Sequence, residues 1–511
     1  MKFVGKFVLH RATFVVLSML VQLFILIGVI WKFYDYFAFF YGVTLLLSAA
    51  AVIYIINSNS NPVYKISWII PILVFPIFGG LFYFFFGGNK LSKREKHKMN
   101  SINKKVKEGL QQRDSVLAEI EALSEDAVNQ SRYIRGFSAY PPYRNTFTEY
   151  LPTGEKKFKR LKEELKKAER FIFLEYYIIE EGRMWNSILD ILKEKAEQGV
   201  EVRLIYDDVG CLLKLPKDYN HELEAMGIKC RIFNPLIPLL YPRLNNRDHR
   251  KIAIIDGHTA FTGGVNLADE YINEIQLHGH WKDSAIMVKG EAVWNFTVMF
   301  LSVWDYLDDM DEDLDRFKMS QPSEYKNFDD GYVQPFADSP IDQEPVGETV
   351  YLNLINKAKK YVFITTPYLI LDHQILTALS SAAKGGVDVR IITPHIADKW
   401  FVHEVTKSYY APLIYSGVKI YEYTPGFIHS KTFAVDDKYG VVGTINMDYR
   451  SLYLHFECAV WMYNSSTVMD IKKDFLDTLR VCQEITREEV ENVKWYRAIA
   501  GSVLRIFAPL M

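Results

Sequence analysis

Two stretches of this chain lie 180 residues apart and share one pattern of side chains. Each holds a histidine, a lysine two residues later and an aspartate five residues after that. The members are His249, Lys251 and Asp256 in DHRKIAIIDG, and His429, Lys431 and Asp436 in IHSKTFAVDD. The chain must therefore fold so that one local unit is used twice.

The sequence before each pattern repeats the same order of elements. FIFLEYYI and YVFITTPYL are typical of apolar strands. Each is followed by an amphipathic helix that ends in glycine and by a second strand, VEVRLIYD or VDVRIITP. Strand, helix, strand at this spacing predicts a βαβ unit with parallel pairing, and the unit is far too long for a solenoid repeat. We therefore expect an α/β protein of two similar halves, with mixed, largely parallel sheets flanked by helices.

Strand parity separates the members of each pattern. Alternate residues of a strand share a face, so His249 and Lys251 project together, as do His429 and Lys431. The two aspartates have the opposite parity and stand at the end of the strand. Each aspartate is therefore expected to organise a turn.

A small residue and an asparagine follow each histidine, at the same spacing in both halves. Small residues let the backbone approach a ligand, and an asparagine amide donates hydrogen bonds to oxyanions. The predicted phosphate-binding residues are Gly264 and Asn266 in the first half, and Thr444 and Asn446 in the second.

Packed about a pseudo-twofold axis, these residues predict a pocket for a phosphodiester. A neutral histidine can attack phosphorus, and a second, protonated histidine can give its proton to the leaving oxygen. Lysine ammonium groups and asparagine amides then stabilise the charge on the other oxygens, so the chemistry needs no metal. One such pattern is readily explained by chance, but two copies in matched surroundings are not. We predict the six residues of the doubled pattern as the catalytic set.

The paired patterns resemble the phospholipase D superfamily, and within it the chain is similar to the bacterial cardiolipin synthases. The resemblance covers nearly the whole chain and includes KAEQGVEVRLIYDDVG, DHRKIAIIDGHTAFTGGVNLADEY, GTINMDYRSLYLHFE and the terminal LRIFAPLM. It implies one active site between the halves, a covalent phosphatidyl-histidine, and conversion of two phosphatidylglycerols to cardiolipin and glycerol. It also implies that no cofactor or metal takes part.

The resemblance further implies that a downstream carboxylate holds each histidine in its working tautomer. The matching positions are Asp283 in HWKD and Glu457 in HFECAV. We expect His249 to be the nucleophile and His429 the acid and base. Where the family usually has asparagine two residues before the glutamate, this chain has His455, which we interpret as a strand residue pointing away from the site.

Two other polar groups invite a functional interpretation. His278 and His280 form a single H-x-H without carboxylates at suitable spacing, which is a weak metal motif. Asp269 and Glu270 are better explained as a cap for the helix after Asn266 than as a catalytic acid pair.

The first ninety residues differ from the rest. The segments at 13–31, 36–56 and 66–86 carry no charge and are each near the length of about 20 residues that spans a bilayer. The stretch at 89–107 has eight Lys or Arg against one Glu, which places it on the cytoplasmic side. We predict a multi-pass protein of the cell membrane with a cytoplasmic catalytic body. Because three spans cannot keep both ends inside, either the N-terminus lies outside, which we favour, or one segment is interfacial.

The predicted divisions are a membrane-spanning region at 1–88, a basic helical linker at 89–135, two phospholipase D-like halves at 136–325 and 326–490, and an amphipathic segment at 491–511. The last segment is expected either to lie in the membrane interface or to dock on the body. The expected partners are phosphatidylglycerol and the membrane, and the oligomeric state stays open.

Other functions remain alternatives. A hydrolytic phospholipase D would use the same residues with water as the acceptor. A phosphatidylserine-forming transferase, a nuclease and a catalytically silent membrane scaffold are further alternatives. A nuclease is disfavoured because the net charge of -2 and pI near 6.7 give no sign of a nucleic-acid groove. A silent scaffold is disfavoured because it need not keep both sets of His, Lys and Asn.

Overall fold

The structure is a computed structural model. It describes residues 20–25, 27–28, 31–32, 37–58, 61–75, 79–80, 83, 102–111, 114–236, 245–308, 312–319, 328–341 and 344–508. The predicted segments at 13–31 and 66–86 and the basic stretch at 89–107 lie partly outside these residues. Among the described residues, no helix is both long enough and apolar enough to cross a bilayer.

Strands and helices alternate through the body of the chain. The strands are β1 (Tyr143–Leu151), β2 (Phe171–Tyr176), β3 (Glu201–Asp207), β4 (Lys229–Phe233), β5 (Lys251–Ile255), β6 (Thr259–Gly263), β7 (His280–Lys282), β8 (Ala285–Gly290), β9 (Asp329–Asp338), β10 (Tyr361–Thr365), β11 (Asp388–Pro394), β12 (Lys419–Tyr423), β13 (Gly426–Ile428), β14 (Thr432–Val435), β15 (Tyr439–Gly443), β16 (Glu457–Tyr463) and β17 (Cys482–Glu484).

The helices fall before, between and after these strands. They are α1 (Phe37–Ile56), α2 (Pro62–Val74), α3 (Ser115–Leu123), α4 (Glu125–Ser138), α5 (Gly154–Leu165), α6 (Arg183–Glu197), α7 (Asp208–Cys211), α8 (Tyr219–Ala225), α9 (Val293–Asp308), α10 (Val346–Lys357), α11 (His373–Lys384), α12 (Trp400–Ser408), α13 (Tyr410–Tyr415), α14 (Tyr449–Tyr453), α15 (Thr467–Leu479), α16 (Arg487–Glu491) and α17 (Trp495–Ile506).

One continuous sheet of fifteen strands joins both halves of the body. Its order is β17-β12-β11-β10-β14-β15-β16-β9-β1-β8-β6-β5-β2-β3-β4, and β7 and β13 form a separate pair. The series β2, α6, β3, α8, β4 in the first half matches β10, α11, β11, α13, β12 in the second. The halves meet at the centre, where β9 pairs with both β1 and β16. The predicted doubling of an α/β unit is therefore confirmed.

The sheet is mixed, as predicted, but the prediction that it is largely parallel is wrong. Within the main sheet, parallel pairing is confined to β2, β3 and β4 and to β10, β11 and β12. All its other pairs are antiparallel. Short turns join β5 to β6 and β14 to β15, and a short turn permits only antiparallel neighbours.

Local sequence explains the repeated βαβ units. β2 and β10 are buried along their whole length, which is why they read as apolar runs instead of alternating ones. The helices that follow end beside Gly199 and Gly386, whose φ angles of 89° and 96° are left-handed. Glycine accepts that backbone without strain, so it ends each helix and turns the chain toward the next strand.

Candidate active site

The two aspartates of the doubled pattern lie at the far end of their strands from the histidines. Asp256 has φ 53° and accepts the backbone N–H groups of residues 169–171, each at 2.8 Å. Asp436 has φ 54° and accepts those of residues 359–361 at 2.7 to 2.9 Å. Both therefore hold the turn that begins the neighbouring strand. The geometry supports the parity argument and gives neither aspartate a place among the reacting groups.

The two histidines are fixed by backbone hydrogen bonds to the opposite half. The N–H of His249 donates to the carbonyl of Phe456 at 3.0 Å, and that of His429 donates to the carbonyl of Lys282 at 2.7 Å. Each histidine stands just before its strand, and each partner residue directly precedes a predicted carboxylate. The doubled sequence therefore builds one site from both halves.

The two predicted carboxylates also connect the halves, because each contacts the histidine of the opposite half. Nδ1 of His249 lies 2.8 Å from Oε1 of Glu457, and Nδ1 of His429 lies 2.6 Å from Oδ2 of Asp283. Each carboxylate accepts a hydrogen bond from the Nδ1–H group, which keeps the proton on Nδ1 and leaves the lone pair of Nε2 for chemistry. Both carboxylates are fully buried. The structure thus brings together both histidines and both predicted orienting acids.

The two lysines lie beside the histidines in equivalent positions. The Nζ of Lys251 donates to the carbonyl of His249, and that of Lys431 donates to the carbonyl of His429. Burial lowers the pKa of Lys251 to about 8 and that of Lys431 to about 7. At neutral pH the site therefore retains positive charge close to both imidazoles.

Burial and these charges also keep the imidazoles neutral. Burial lowers the pKa of His249 well below its usual value, and the ammonium group of Lys251 lowers it further. Burial lowers the pKa of His429 to about 4, with a further contribution from Lys431. Burial raises the pKa of the Glu457 carboxyl. A neutral imidazole is the form that can act as a nucleophile.

Gly264 and Thr444 lie behind the orienting carboxylates. A Cβ at position 264 would lie 2.1 Å from Oδ1 of Asp283, so only glycine leaves room for that carboxylate. The hydroxyl of Thr444 donates to Oε2 of Glu457 and accepts the N–H of Cys458 at 3.0 Å. This supporting position differs from the phosphate-binding role that the sequence predicts.

The two asparagines have different surroundings. Asn266 accepts the N–H of Ile178 at 3.0 Å and donates to the hydroxyl of Tyr271 at 2.6 Å. Asn446 is also buried, but its Oδ1 has no hydrogen-bond partner within the described residues. Asn266 is therefore held firmly by the protein, whereas Asn446 keeps an acceptor oxygen for a donor group.

His455 does not point away from the site, and that prediction is wrong. Its ring centroid lies 5.5 Å from that of His249, and its Nδ1 is 3.9 Å from Oε1 of Glu457. It belongs to a bend before β16 and not to the strand, so strand parity does not apply to it. Trp281 holds the equivalent position in the other half, with its ring 5.4 Å from that of His429. The two histidines thus have unlike neighbours, one polar and one aromatic.

His249, His455 and Glu457 also meet the distance requirement for a metal site, since one ligand atom of each lies within 4.8 Å of the others. The surrounding charges oppose this interpretation. Lys251 lowers the pKa of His249, and Arg450 lowers that of His455, in both cases after burial. A field that disfavours an imidazolium also repels a divalent cation. The cluster fits a phosphate anion better than a metal.

A buried ion network, which the sequence analysis does not predict, fixes the loop before β5. Arg247 pairs with Asp207 at 2.9 Å, and Arg250 pairs with Glu175 at 2.8 Å and with Asp248 at 3.0 Å. All five side chains are buried. The charged run NRDHRK before an apolar strand was the available signal, since buried charges require partners.

The remaining polar candidates have structural positions. The carboxylate of Asp269 accepts the N–H groups of Arg183 and Met184 at 2.9 and 2.7 Å. It is therefore a cap, as expected, but of α6 and not of the short helix that follows Asn266. Nδ1 of His280 lies 2.8 Å from the hydroxyl of Tyr423.

Comparison with known families agrees with this geometry. Residues 161–304 and 351–479 match the family described as "Cardiolipin synthase, PLD-like domain". Residues 46–88 match the family described as "Phospholipase_D-nuclease N-terminal". The fold and the doubled histidine site define a phospholipase D-like protein, and the chain belongs to the cardiolipin synthase family.

Similar proteins extend over most of the chain. A cardiolipin synthase from Halalkalibacterium halodurans is 34% identical over 461 residues, covering 90% of this chain and 91% of the relative. An uncharacterised protein from Streptococcus mutans is 43% identical over 461 residues, covering 90% of this chain and 99% of the relative.

A solved structure shares the fold. The crystal structure of phosphatidylserine synthase from Haemophilus influenzae matches with a TM-score of 0.56 and 16% identity, over 75% of this chain and 97% of that one. At this identity the likeness concerns the fold alone.

Proposed function

We propose that the protein is a cardiolipin synthase that transfers a phosphatidyl group from one phosphatidylglycerol to another and releases glycerol. The observation that carries this proposal is the pair of buried imidazoles, each oriented by a carboxylate of the opposite half. The similarity to named cardiolipin synthases supports the choice of substrate.

In the first step, Nε2 of His249 attacks the phosphorus of one phosphatidylglycerol. The bond from phosphorus to the glycerol oxygen breaks, and protonated His429 gives its proton to that oxygen. The phosphodiester anion offsets the charge of Lys431, so the pKa of His429 rises when substrate binds. Glycerol leaves, and the phosphatidyl group stays on His249.

In the second step, the glycerol hydroxyl of another phosphatidylglycerol reaches the intermediate. His429, now neutral, takes the hydroxyl proton while the oxygen attacks phosphorus and the nitrogen–phosphorus bond breaks. Lys251 and Lys431 stabilise the charge on the phosphoryl oxygens in both steps. The products are cardiolipin and an enzyme ready for another cycle.

The proposal favours transfer to a lipid over hydrolysis. His249 and His429 are only 7% and 6% exposed, and such burial limits the access of water to the intermediate. A hydroxyl held in place by its own lipid has the advantage of proximity.

The membrane provides this lipid, and we propose that residues 1–88 are embedded in it. The match of residues 46–88 to the N-terminal family supports this, as do the exposed apolar side chains Phe39, Leu46 and Ile53 on α1. The linker at 89–135 and the halves at 136–325 and 326–490 then lie on the cytoplasmic side. Cysteine labelling from each side of sealed vesicles tests this orientation.

The proposed reaction is tested by product analysis of the purified chain in phosphatidylglycerol vesicles with EDTA. We expect cardiolipin and glycerol from the wild type, and neither from His249→Ala or His429→Ala. Phosphatidic acid with glycerol would establish a hydrolase instead. No turnover of any phospholipid by folded protein would favour a membrane scaffold.

A further inference from the structure

The loops around the histidines expose large apolar side chains. Their exposed fractions range from 37 to 70%, although soluble surfaces seldom gather such residues in one place. We name them the apolar rim: Leu213, Leu277, Ile396 and Trp400.

On the His249 side, neighbouring residues connect the rim to the site. Leu213 lies two residues after Cys211, whose thiol donates to the carbonyl of Tyr177 at 3.6 Å. The ring of Tyr177 lies 5.1 Å from that of His249. Trp400 follows Lys399, whose charge contributes to the lowered pKa of His455.

On the His429 side, neighbouring residues likewise connect the rim to the site. Leu277 precedes His278, whose ring lies 6.2 Å from that of Phe427, and Phe427 in turn packs against His429 at 5.9 Å. Ile396 donates its N–H to the carbonyl of Gly426 at 3.4 Å. The rim therefore borders the site from both halves.

A second apolar surface continues from the rim through α12. This helix begins at Trp400, and its last residue, Ser408, lies 3.4 Å from the position that a Cβ of Gly501 in α17 would take. Nine helical residues span roughly 13 Å. The outer side of α17 exposes a stripe of four side chains, between 49 and 75% exposed: Trp495, Tyr496, Ile499 and Val503.

Helix α17 also contacts the N-terminal region. The hydroxyl of Ser67 in α2 donates to the carbonyl of Ile506 at 2.6 Å. On α2, Ile66 and Leu73 are 53 and 63% exposed. The last segment of the chain thus docks on the body, which is one of the two positions expected from its sequence, and it presents apolar side chains outward.

The charges around these surfaces indicate what covers them. Lys399, Lys494 and Arg497 are exposed beside the rim and the stripe, and phosphatidylglycerol is an anionic lipid. Aromatic and aliphatic side chains flanked by cations are typical of a surface that lies in the headgroup region of an anionic bilayer.

We propose that the apolar rim and the α17 stripe lie in the surface of an anionic bilayer, so that lipid substrates enter the site directly from the leaflet. This inference rests on the proposed function for its substrate. It adds that the catalytic body itself contacts the membrane, in addition to the attachment through residues 1–88.

The test compares Leu277→Glu with Leu123→Glu. These leucines are 58 and 59% exposed, but Leu123 precedes Ser124, whose hydroxyl lies 3.5 Å from that of Tyr439, at the end of β15 that is away from the histidines. We expect Leu277→Glu to lower turnover of phosphatidylglycerol vesicles about tenfold, because burial of a leucine side chain in the bilayer is lost. Turnover of dihexanoyl-phosphatidylglycerol, dissolved as monomers, should stay within about twofold, since it needs no bilayer contact. Leu123→Glu should change neither rate.

An equal loss with both substrates, or no loss with vesicles, would overturn the proposal. A second readout does not depend on turnover. An environment-sensitive fluorophore on Leu277→Cys should be quenched by brominated phosphatidylglycerol in reconstituted vesicles, and the same label on Leu123→Cys should not. Equal quenching at both positions, or none at position 277, would also overturn it. If the wild type proves inactive while position 277 is quenched, the proposed reaction fails and the membrane contact stands.

Discussion

Glu457→Gln removes the carboxyl group that carries a negative charge against the cationic intermediate, and it keeps the shape of the side chain. The carboxylate lies 2.8 Å from Nδ1 of His249 and is fully buried. In the phosphatidyl-histidine intermediate the imidazole carries a positive charge. The amide of glutamine still accepts from Nδ1, so the variant tests the charge and not the geometry.

The structure sets the size of the effect. Two unit charges roughly 4 Å apart interact by about 4 kcal/mol at an effective dielectric constant of about 20. A neutral hydrogen bond restores about 1 kcal/mol. The remaining loss of about 3 kcal/mol corresponds to about a 150-fold slower reaction, because about 1.36 kcal/mol is a factor of ten.

The assay is the initial rate of glycerol release from phosphatidylglycerol vesicles with EDTA. Glu422→Gln is the matched control, because Glu422 is also buried and lies 2.8 Å from Nδ1 of His395, away from the histidine pair. We expect the control to stay within about threefold of the wild type. A folded Glu457→Gln variant with a rate within about threefold of the wild type would refute the reasoning.

Three further predictions follow from the geometry. Gly264→Ala should lower kcat at least about 100-fold, because its Cβ displaces the carboxylate of Asp283; glycerol release checks this, and an unchanged kcat would contradict it. Asp256→Asn should lower the free energy of unfolding by about 2 kcal/mol, because its hydrogen bonds to the backbone weaken, and should leave kcat within about twofold. Thermal unfolding and kinetics on the same variant check both results. A selective loss of kcat would place Asp256 among the reacting groups. The pH profile of kcat/KM should fall as pH rises through about 7 to 8, because Lys431 and Lys251 lose their protons there; a profile that stays flat to pH 9 would contradict this.

The sequence predicted the doubled βαβ unit and the parts of the site, because both leave local patterns. It did not predict which carboxylate orients which histidine. Asp283 and Glu457 follow the histidines of their own halves in the chain, but each contacts the histidine of the other half. That exchange depends on how the halves pack, and no local spacing records it.

Other differences have similar causes. His455 was expected to continue a strand, but a bend before β16 turns it toward His249. Thr444 was expected to bind phosphate, but its hydroxyl is taken by Glu457. The antiparallel pairing of β9 with β1 and β16 joins residues distant in sequence, so no local pattern predicts it.

The most direct test of the account identifies the residue that carries the phosphatidyl group. The His429→Ala variant is mixed with a nitrophenyl ester of phosphatidic acid, whose leaving group needs no proton donor. The reaction is quenched in alkali, and the modified residue is identified by mass spectrometry. We expect nitrophenol release with a phosphatidyl adduct on His249. Nitrophenol release with no adduct, or an adduct on another residue, would contradict it.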